Sequence, residues 1–220
     1  MPPVQTLVLS AWEPELAPLR RLLRGAGAAR DVARAAIGVG TVDAAVGAAH
    51  ALARTRPRRA IFVGTAGVYP GAAARALPVG SPAVAGELRL VSTATLRGEA
   101  YHPAPLVASA APTPALRARL ARAGGDATAG ELASAAIVAC PLAITQTAAL
   151  ARRIADTGAA LENLEAFAVA RAATAAHVPF AAVLGVSNVV GPRAHAEWRA
   201  NHQPASRAAC HEVWSFLRAR

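Results

Sequence analysis

Residues 175–191 read AAHVPFAAVLGVSNVVG, and whether this apolar run is a membrane helix or a buried strand decides the fold. A spanning helix needs roughly 20 consecutive, mostly apolar residues. This run holds His177, Pro179 and Gly185 and is cut by Asn188, so it does not qualify. Residues 178–187, VPFAAVLGVS, instead read as a strand buried on both faces, as in a parallel sheet covered by helices.

Outward from that strand, short β-type runs alternate with helical stretches. TLVLS (residues 6–10) precedes a helix with Pro14 in its first turn, where a missing N–H is tolerated. A strand ending in Gly38 and Gly40 gives way to a helix that Thr41 is placed to cap. AIFVGTAG (60–67) is an apolar run ending in a glycine-bounded turn, and GSPAVAGELRLVSTATL (80–96) reads as two strands or one bent hairpin. Residues 96–114 carry four prolines and no sustained period, and read as a long surface loop. A helix at 115–123, a strand at 135–139 and a helix at 148–155 follow, the last with Thr145 and Thr147 as candidate caps. Residues 158–177 read as strand into helix, and HEVWSFLRAR (211–220) as an amphipathic helix. With no internal repeat and no linker, the expected fold is α/β: one domain over residues 1–220, three-layer αβα, around a central mixed, mostly parallel twisted sheet.

Composition narrows the function. Apolar residues make up 54% of the chain and aromatics only 4%, so the core is built from many small side chains. The formal charge is +10, yet every basic residue is arginine, and apart from RPRR (56–59) the arginines are dispersed. That dispersion weighs against nucleic acid as a partner; attraction of an anionic small substrate is an equal use of the field. Cys140 and Cys210 have no metal or redox spacing, which predicts a reduced, cytoplasmic setting. The amino-terminal residues lack a basic segment and a long apolar run, so no secretory signal is expected.

In a sheet of this kind ligands gather beyond the carboxyl ends of the strands. Four stretches fall there: residues 11–15, 64–67, 163–165 and 187–188. Two acids, Glu162 and Glu165, sit where a strand runs into a helix; both suit a first helical turn, whose dipole favours negative charge. Glu13 and Glu15 admit the same reading after the first strand.

In order and spacing, SAWEPEL (10–16), GVG (38–40), GTAG (64–67) with a following VG, ENLEAFAVA (162–170) and VPF leading to VSN (178–188) resemble the nucleoside phosphorylase and nucleosidase superfamily over nearly the whole chain. GVYPG (67–71), ENLEAF and SNVVGPRAHAEW (187–198) are most similar to its futalosine hydrolases, of the alternative menaquinone pathway. The resemblance implies an N-ribosyl hydrolase without metal or organic cofactor, acting on a small nucleoside and assembled as a homodimer or larger homo-oligomer. It implies that Glu165 binds the ribose 2′-hydroxyl beside a developing oxocarbenium charge, and that Glu15 activates the attacking water. Asn188 stands where adenine-specific members carry an aspartic acid that protonates the leaving purine; an amide cannot surrender that proton, which favours a 6-oxopurine. By the same resemblance Thr65, Ala66 and Gly67 form the pocket floor, Thr145 and Gln146 line the base, Asn163 and Leu164 flank the sugar, and Phe167 stacks or packs in the core. Arg193 and Trp198 either clamp a carboxybenzoyl group or belong to a surface loop. Leu184 and Ser81 depart from the usual arginine and aspartate of the family. Other members of the superfamily, the methylthioadenosine and adenosylhomocysteine nucleosidases, provide the alternative activity, and a nucleic-acid-binding protein on the same fold the non-enzymatic one.

Overall fold

The computed structural model describes residues 4–24, 31–123 and 131–219. The strands are β1 (Thr6–Ser10), β2 (Val32–Ala36), β3 (Ala60–Val68), β4 (Pro82–Val91), β5 (Ser109–Ala110), β6 (Ala136–Pro141), β7 (Leu161–Glu162) and β8 (Phe180–Val189). Between them lie helices α1 (Glu13–Arg24), α2 (Thr41–Thr55), α3 (Ala72–Ala76), α4 (Thr93–Leu96), α5 (Pro114–Ala123), α6 (Glu131–Ser134), α7 (Ala148–Ala155), α8 (Ala166–Ala175) and α9 (Ala194–Arg218).

Residues 180–189 are the buried strand expected of them, paired parallel with β3 from Ala60↔Phe180 to Val68↔Val189. Most of the pairings are parallel, with antiparallel contacts at β3–β7, β4–β5 and β4–β8. Strands β3, β8, β4, β6 and β7 pair in a closed circuit, because β7 returns to β3 at Gly67↔Glu162. The period-two alternation of the strands makes the three layers. Leu7, Leu9, Phe62, Ala182 and Leu184 face a core shared with α2 and α8. Val8, Ile61, Val63, Ala181 and Val183 face the opposite core, filled by α1, α5 and α9. Leu184 is thus a core residue, and Ser81 donates to the Pro78 carbonyl at 2.7 Å.

Several local expectations change. Residues 80–96 form one long strand, β4, and a short helix, not two strands or a hairpin; a register shift between Ala85 and Glu87 absorbs the irregularity that suggested a bend. The proline-rich stretch 96–114 contains β5, which pairs with β4. Gly40, not Thr41, occupies the cap position of α2, and Thr41 donates instead to the Leu164 carbonyl at 2.9 Å. Thr147 caps α7 by accepting from Leu150 N, whereas Thr145 is buried ahead of the helix. Residues 211–218 are the end of the 25-residue α9, so Arg193–Trp198 is not a surface loop: Arg193 caps the helix and Trp198 lies inside it. Arg220, the last residue of that stretch, lies outside the described residues. Among those residues no helix is long and apolar enough to cross a membrane.

Candidate active site

At the carboxyl end of β1 the chain turns directly into α1, whose first turn carries both Glu13 and Glu15. Their fates differ. Glu13 is exposed and pairs with Arg20 at 2.8 Å, a contact of little energetic weight. Glu15 is 7% exposed and accepts three hydrogen bonds: Oε2 from Ser10 Oγ at 2.6 Å, and Oε1 from Thr65 N at 3.0 Å and Thr65 Oγ1 at 2.9 Å. Burial raises its pKa above the usual carboxylate value, and these donors pull it back down.

The β7–α8 junction supplies the second carboxylate. Asn163 Oδ1 accepts from Glu165 N at 3.0 Å and Ala166 N at 2.8 Å, while its Nδ2 donates to the Thr65 carbonyl at 3.0 Å. One amide therefore starts α8 and ties it to β3, which fixes the backbone that carries Glu165. Glu165 is 5% exposed, and its Oε1 accepts from Gly40 N at 2.8 Å. Gly40 has φ +89°, a conformation that glycine adopts without strain, and its N–H stands at the positive end of α2. Burial, then the charge of Glu15, raises the Glu165 pKa, opposed by the Gly40 bond. Glu162 is not a helix-start acid. It ends β7, and its carboxylate accepts from Tyr69 Oη at 2.7 Å and Thr145 N at 3.0 Å.

In the β3–β8 ladder the register slips after Ala66, so that Gly67 pairs with Asn188 and Ser187 is the extra residue. Such a bulge re-aims the side chains beside it. Ser187 Oγ lies 2.8 Å from Asn188 Oδ1 and 3.1 Å from the Ala66 carbonyl. Gly67 makes room for this arrangement: a Cβ there would lie 2.8 Å from Asn188 Nδ2 and 2.7 Å from Val190 Cγ2. The start of α9 closes the site. Glu197 accepts from Val189 N at 2.9 Å, and Trp198 Nε1 donates to Thr65 Oγ1 at 3.2 Å.

These elements enclose a cavity of about 350 Å³. Glu15, Thr65, Ala66, Gly67, Asn163, Leu164, Glu165 and Asn188 line it. Thr145, Gln146, Phe167 and Arg193 do not. Thr145 is held one layer away by its backbone bond to Glu162, Gln146 points outward, and Phe167 is packed in the core with α2 and α8. Arg193 has an 87% exposed side chain whose ion-pair partner is Glu197 at 3.4 Å. Trp12, Val39, Ile144, Glu162, His195 and Trp198 complete the wall together with Ala11 just after β1, Ser187 of β8 and Ala194 of α9. Among the described residues no cluster of three or more His, Cys, Asp or Glu side chains is placed to hold a metal ion.

Residues 12–218 match the phosphorylase superfamily, a span that includes every polar side chain of this cavity except Ser10 beneath it. The chain belongs to that superfamily. Solved structures with the superfamily's fold that resemble it include the futalosine hydrolase of Helicobacter pylori strain 26695, 14% identical, covering 97% of this chain and 97% of that chain with a TM-score of 0.83. The 5'-methylthioadenosine/S-adenosylhomocysteine nucleosidase of Neisseria meningitidis, in complex with methylthio-immucillin-A, is 19% identical, covering 98% of this chain and 99% of that chain, with a TM-score of 0.81. A nucleosidase of the same name from Colwellia psychrerythraea 34H, in complex with adenine, is 21% identical over 98% of this chain and 95% of that chain, TM-score 0.78. Identities this low establish a shared fold and leave the substrate open. A search of curated protein sequences gives no match.

Phosphate is held by arginine or lysine through charge-assisted bonds, and among the described residues neither type lines this cavity, although the chain has 23 basic residues. Its charged side chains are the three carboxylates Glu15, Glu162 and Glu165, with His195 at the rim.

Proposed function

We propose that this protein is an N-ribosyl hydrolase that cleaves futalosine to hypoxanthine and dehypoxanthinyl futalosine. The observation that carries the reading is that Glu15, Glu165 and Asn188, which lie far apart in the chain, share the wall of one cavity whose described lining holds no arginine or lysine. Water is then the nucleophile. Glu15, its carboxylate oriented by Ser10 and Thr65, takes the proton of that water as it attacks the anomeric carbon. Glu165 binds the ribose 2′-hydroxyl, and its charge stabilises the oxocarbenium-like transition state where positive charge develops. The Gly40 N–H holds one oxygen of that carboxylate at 2.8 Å, so little reorganisation accompanies the step.

Asn188 supports a 6-oxopurine leaving group. With Oδ1 turned toward Ser187 Oγ, Nδ2 donates one N–H to the Val189 carbonyl at 3.3 Å and keeps the other for the acceptor edge of O6 and N7. An adenine leaving group needs a proton at N7, and general acid assistance is worth about 10² to 10⁴-fold, or roughly 3 to 5 kcal/mol of barrier. The experiment is hydrolysis of a nucleoside panel comprising futalosine, its 6-amino analogue, methylthioadenosine and adenosylhomocysteine, with the free base identified. Hypoxanthine release from futalosine in the absence of phosphate is expected, and adenine release at comparable efficiency would move the protein to the adenine-specific nucleosidases.

The same reading includes a homo-oligomer. Val39, Val42 and Val46 on and before α2, and Leu142 and Ile144 ahead of α7, are large apolar residues exposed by half or more. Val39 and Ile144 also line the cavity, so a second copy covering this face would screen the site from water. Light scattering in solution reads the assembly mass directly.

A further inference from the structure

We propose that Ser10 and Trp198 are positioning residues for Glu15, the two ends of a hydrogen-bond chain whose donors converge on the carboxylate, fix it and favour its ionised form. The inference deepens the hydrolase reading and rests on Glu15 acting as the base.

The direction of the chain follows from donor chemistry. An indole N–H can only donate, so Trp198 Nε1, 3.2 Å from Thr65 Oγ1, makes that hydroxyl an acceptor. The Thr65 proton is thereby turned toward Glu15 Oε1, 2.9 Å away, where the Thr65 backbone N–H also arrives at 3.0 Å. Oε1 is occupied by two donors. Oε2 receives the Ser10 hydroxyl at 2.6 Å; Ser10 is fully buried, and its alternative acceptor, the Trp12 carbonyl, lies farther off at 3.4 Å. Oε1 thus carries both Thr65 donors and Oε2 the Ser10 hydroxyl, with a smaller contribution from the Trp12 backbone, which leaves Oε2 the less crowded oxygen to take a proton from water.

Without these donors the surroundings would favour the protonated acid. Burial raises the Glu15 pKa, and the Ser10 bond heads the contacts that lower it. Among the described residues of the cavity wall no arginine or lysine faces Glu15. Glu162 and Glu165 approach from β7 and the start of α8, His195 from the first turn of α9, and Cys210, farther along α9, donates its thiol to the Glu15 carbonyl at 3.2 Å. Burial pushes the Cys210 thiol up to about 12, so it stays neutral.

Trp198 is held for this task more than for stacking on a ligand. His202 stacks on it at 4.8 Å and His195 at 5.9 Å, and Trp12 lies tilted against it at 6.0 Å. The ring is braced by neighbours from α9 and the β1–α1 turn while its N–H reaches inward.

The test titrates the Glu15 carboxyl by 13C NMR in the free protein, the resonance assigned by its loss in Glu15→Gln, alongside pH profiles of kcat/KM for futalosine. Ser10→Ala removes a charge-assisted bond and is expected to raise the Glu15 midpoint by about one pH unit. Its activity falls by up to about tenfold on the acid side of the wild-type midpoint and recovers toward wild type above the new midpoint. Trp198→Phe keeps the ring and removes the donor, and moves the midpoint in the same direction by about half as much. If Ser10→Ala does not fold, the near-isosteric Ser10→Cys, with its weak S–H donor, carries the same expectation. An unchanged Glu15 midpoint in both the Ser10 and Trp198 variants overturns the proposal even if futalosine is hydrolysed. A midpoint that shifts as stated in a protein that hydrolyses no nucleoside keeps the positioning chain and discards the hydrolase.

Discussion

Glu162 and Glu165 stand three residues apart, on either side of the β7–α8 junction, and both are almost completely buried. One is built into the scaffold and the other is not. Glu162 spends both oxygens on the protein, accepting from Tyr69 Oη and Thr145 N. Burial, then the charge of Glu162, pushes the Tyr69 phenol far upward, so it remains a proton donor. Among the described residues the main bond to Glu165 is the Gly40 N–H on Oε1, its own N–H and the Asn163 side chain adding less, and no side-chain hydroxyl is committed to it. Two acids in one short stretch thus differ in a way that composition and spacing do not express: whether an oxygen on the cavity wall is already engaged.

The largest effect that separates them is on turnover. Glu165→Gln keeps shape and volume but removes the charge that the proposed mechanism places beside the ribose, and kcat/KM is expected to fall by about 10² to 10³-fold. Glu162→Gln, which leaves the Glu165 carboxylate in place, is expected to lose less than about tenfold. Steady-state rates on the substrate that the panel identifies would decide it, and equal losses in the two variants would erase the distinction.

Stability should rank them in the opposite order. Glu162→Ala leaves the Tyr69 hydroxyl and the Thr145 N–H buried without their acceptor. An orphaned buried group costs about 1 to 3 kcal/mol, so a loss of about 2 to 4 kcal/mol is expected, visible as a drop of several degrees in melting temperature. Glu165→Ala orphans one N–H, beside a cavity that water can enter, and is expected to cost under about 1 kcal/mol.

Why the sequence conveyed part of this and not the rest follows from the range of each interaction. The β3 and β8 strands, the αβα layers and the helix at 148–155 are written in local apolar period and in caps such as Thr147, and they are present. Glu15 and Glu165 stand beyond strand ends and Asn188 near the end of β8, where ligands gather, and the three line one cavity. Glu162 looked like a helix-start acid because a two-residue strand has no periodicity to reveal it. Its partner Tyr69 lies 93 residues away, a pairing that spacing does not encode. Arg193 and Phe167 suggested a clamp and a stack by residue type alone, yet α9 turns Arg193 outward and α8 turns Phe167 into the core. The Gly40 donor had no side chain to announce it. Its trace was the pair Gly38 and Gly40, both at positive φ, read only as the end of a strand.

Asn163, between the two acids, offers a smaller and sharper probe. Its Oδ1 accepts from Glu165 N and Ala166 N, so Asn163→Ala removes two bonds that hold the start of α8, worth about 1 kcal/mol. The same change frees the backbone that aims Glu165, and a misplaced catalytic group costs rate disproportionately. The expected outcome is a kcat lowered by about tenfold in a protein whose melting point falls only slightly. A loss of stability without a loss of kcat would mean that Glu165 is aimed by Gly40 alone.

The smallest expected effect lies in the pH dependence of stability. The folded-state pKa of Glu165 is raised above its unfolded value, chiefly by burial and then by the charge of Glu15. Folding therefore takes up a proton at this site in the window between the unfolded pKa, about 4.3, and the raised folded one. Its contribution is fully present below that window and is lost as pH rises through the folded pKa, because the buried carboxylate must then be carried ionised. Gln at this position does not titrate. The difference in melting temperature, wild type minus Glu165→Gln, should therefore fall as pH rises from 4.5 to 8, common contributions from other carboxylates cancelling in the subtraction. A difference that stayed flat, or grew with pH, would mean that the donors around Glu165 outweigh its burial, and the carboxylate would then be a stabilised structural group like its neighbour three residues earlier.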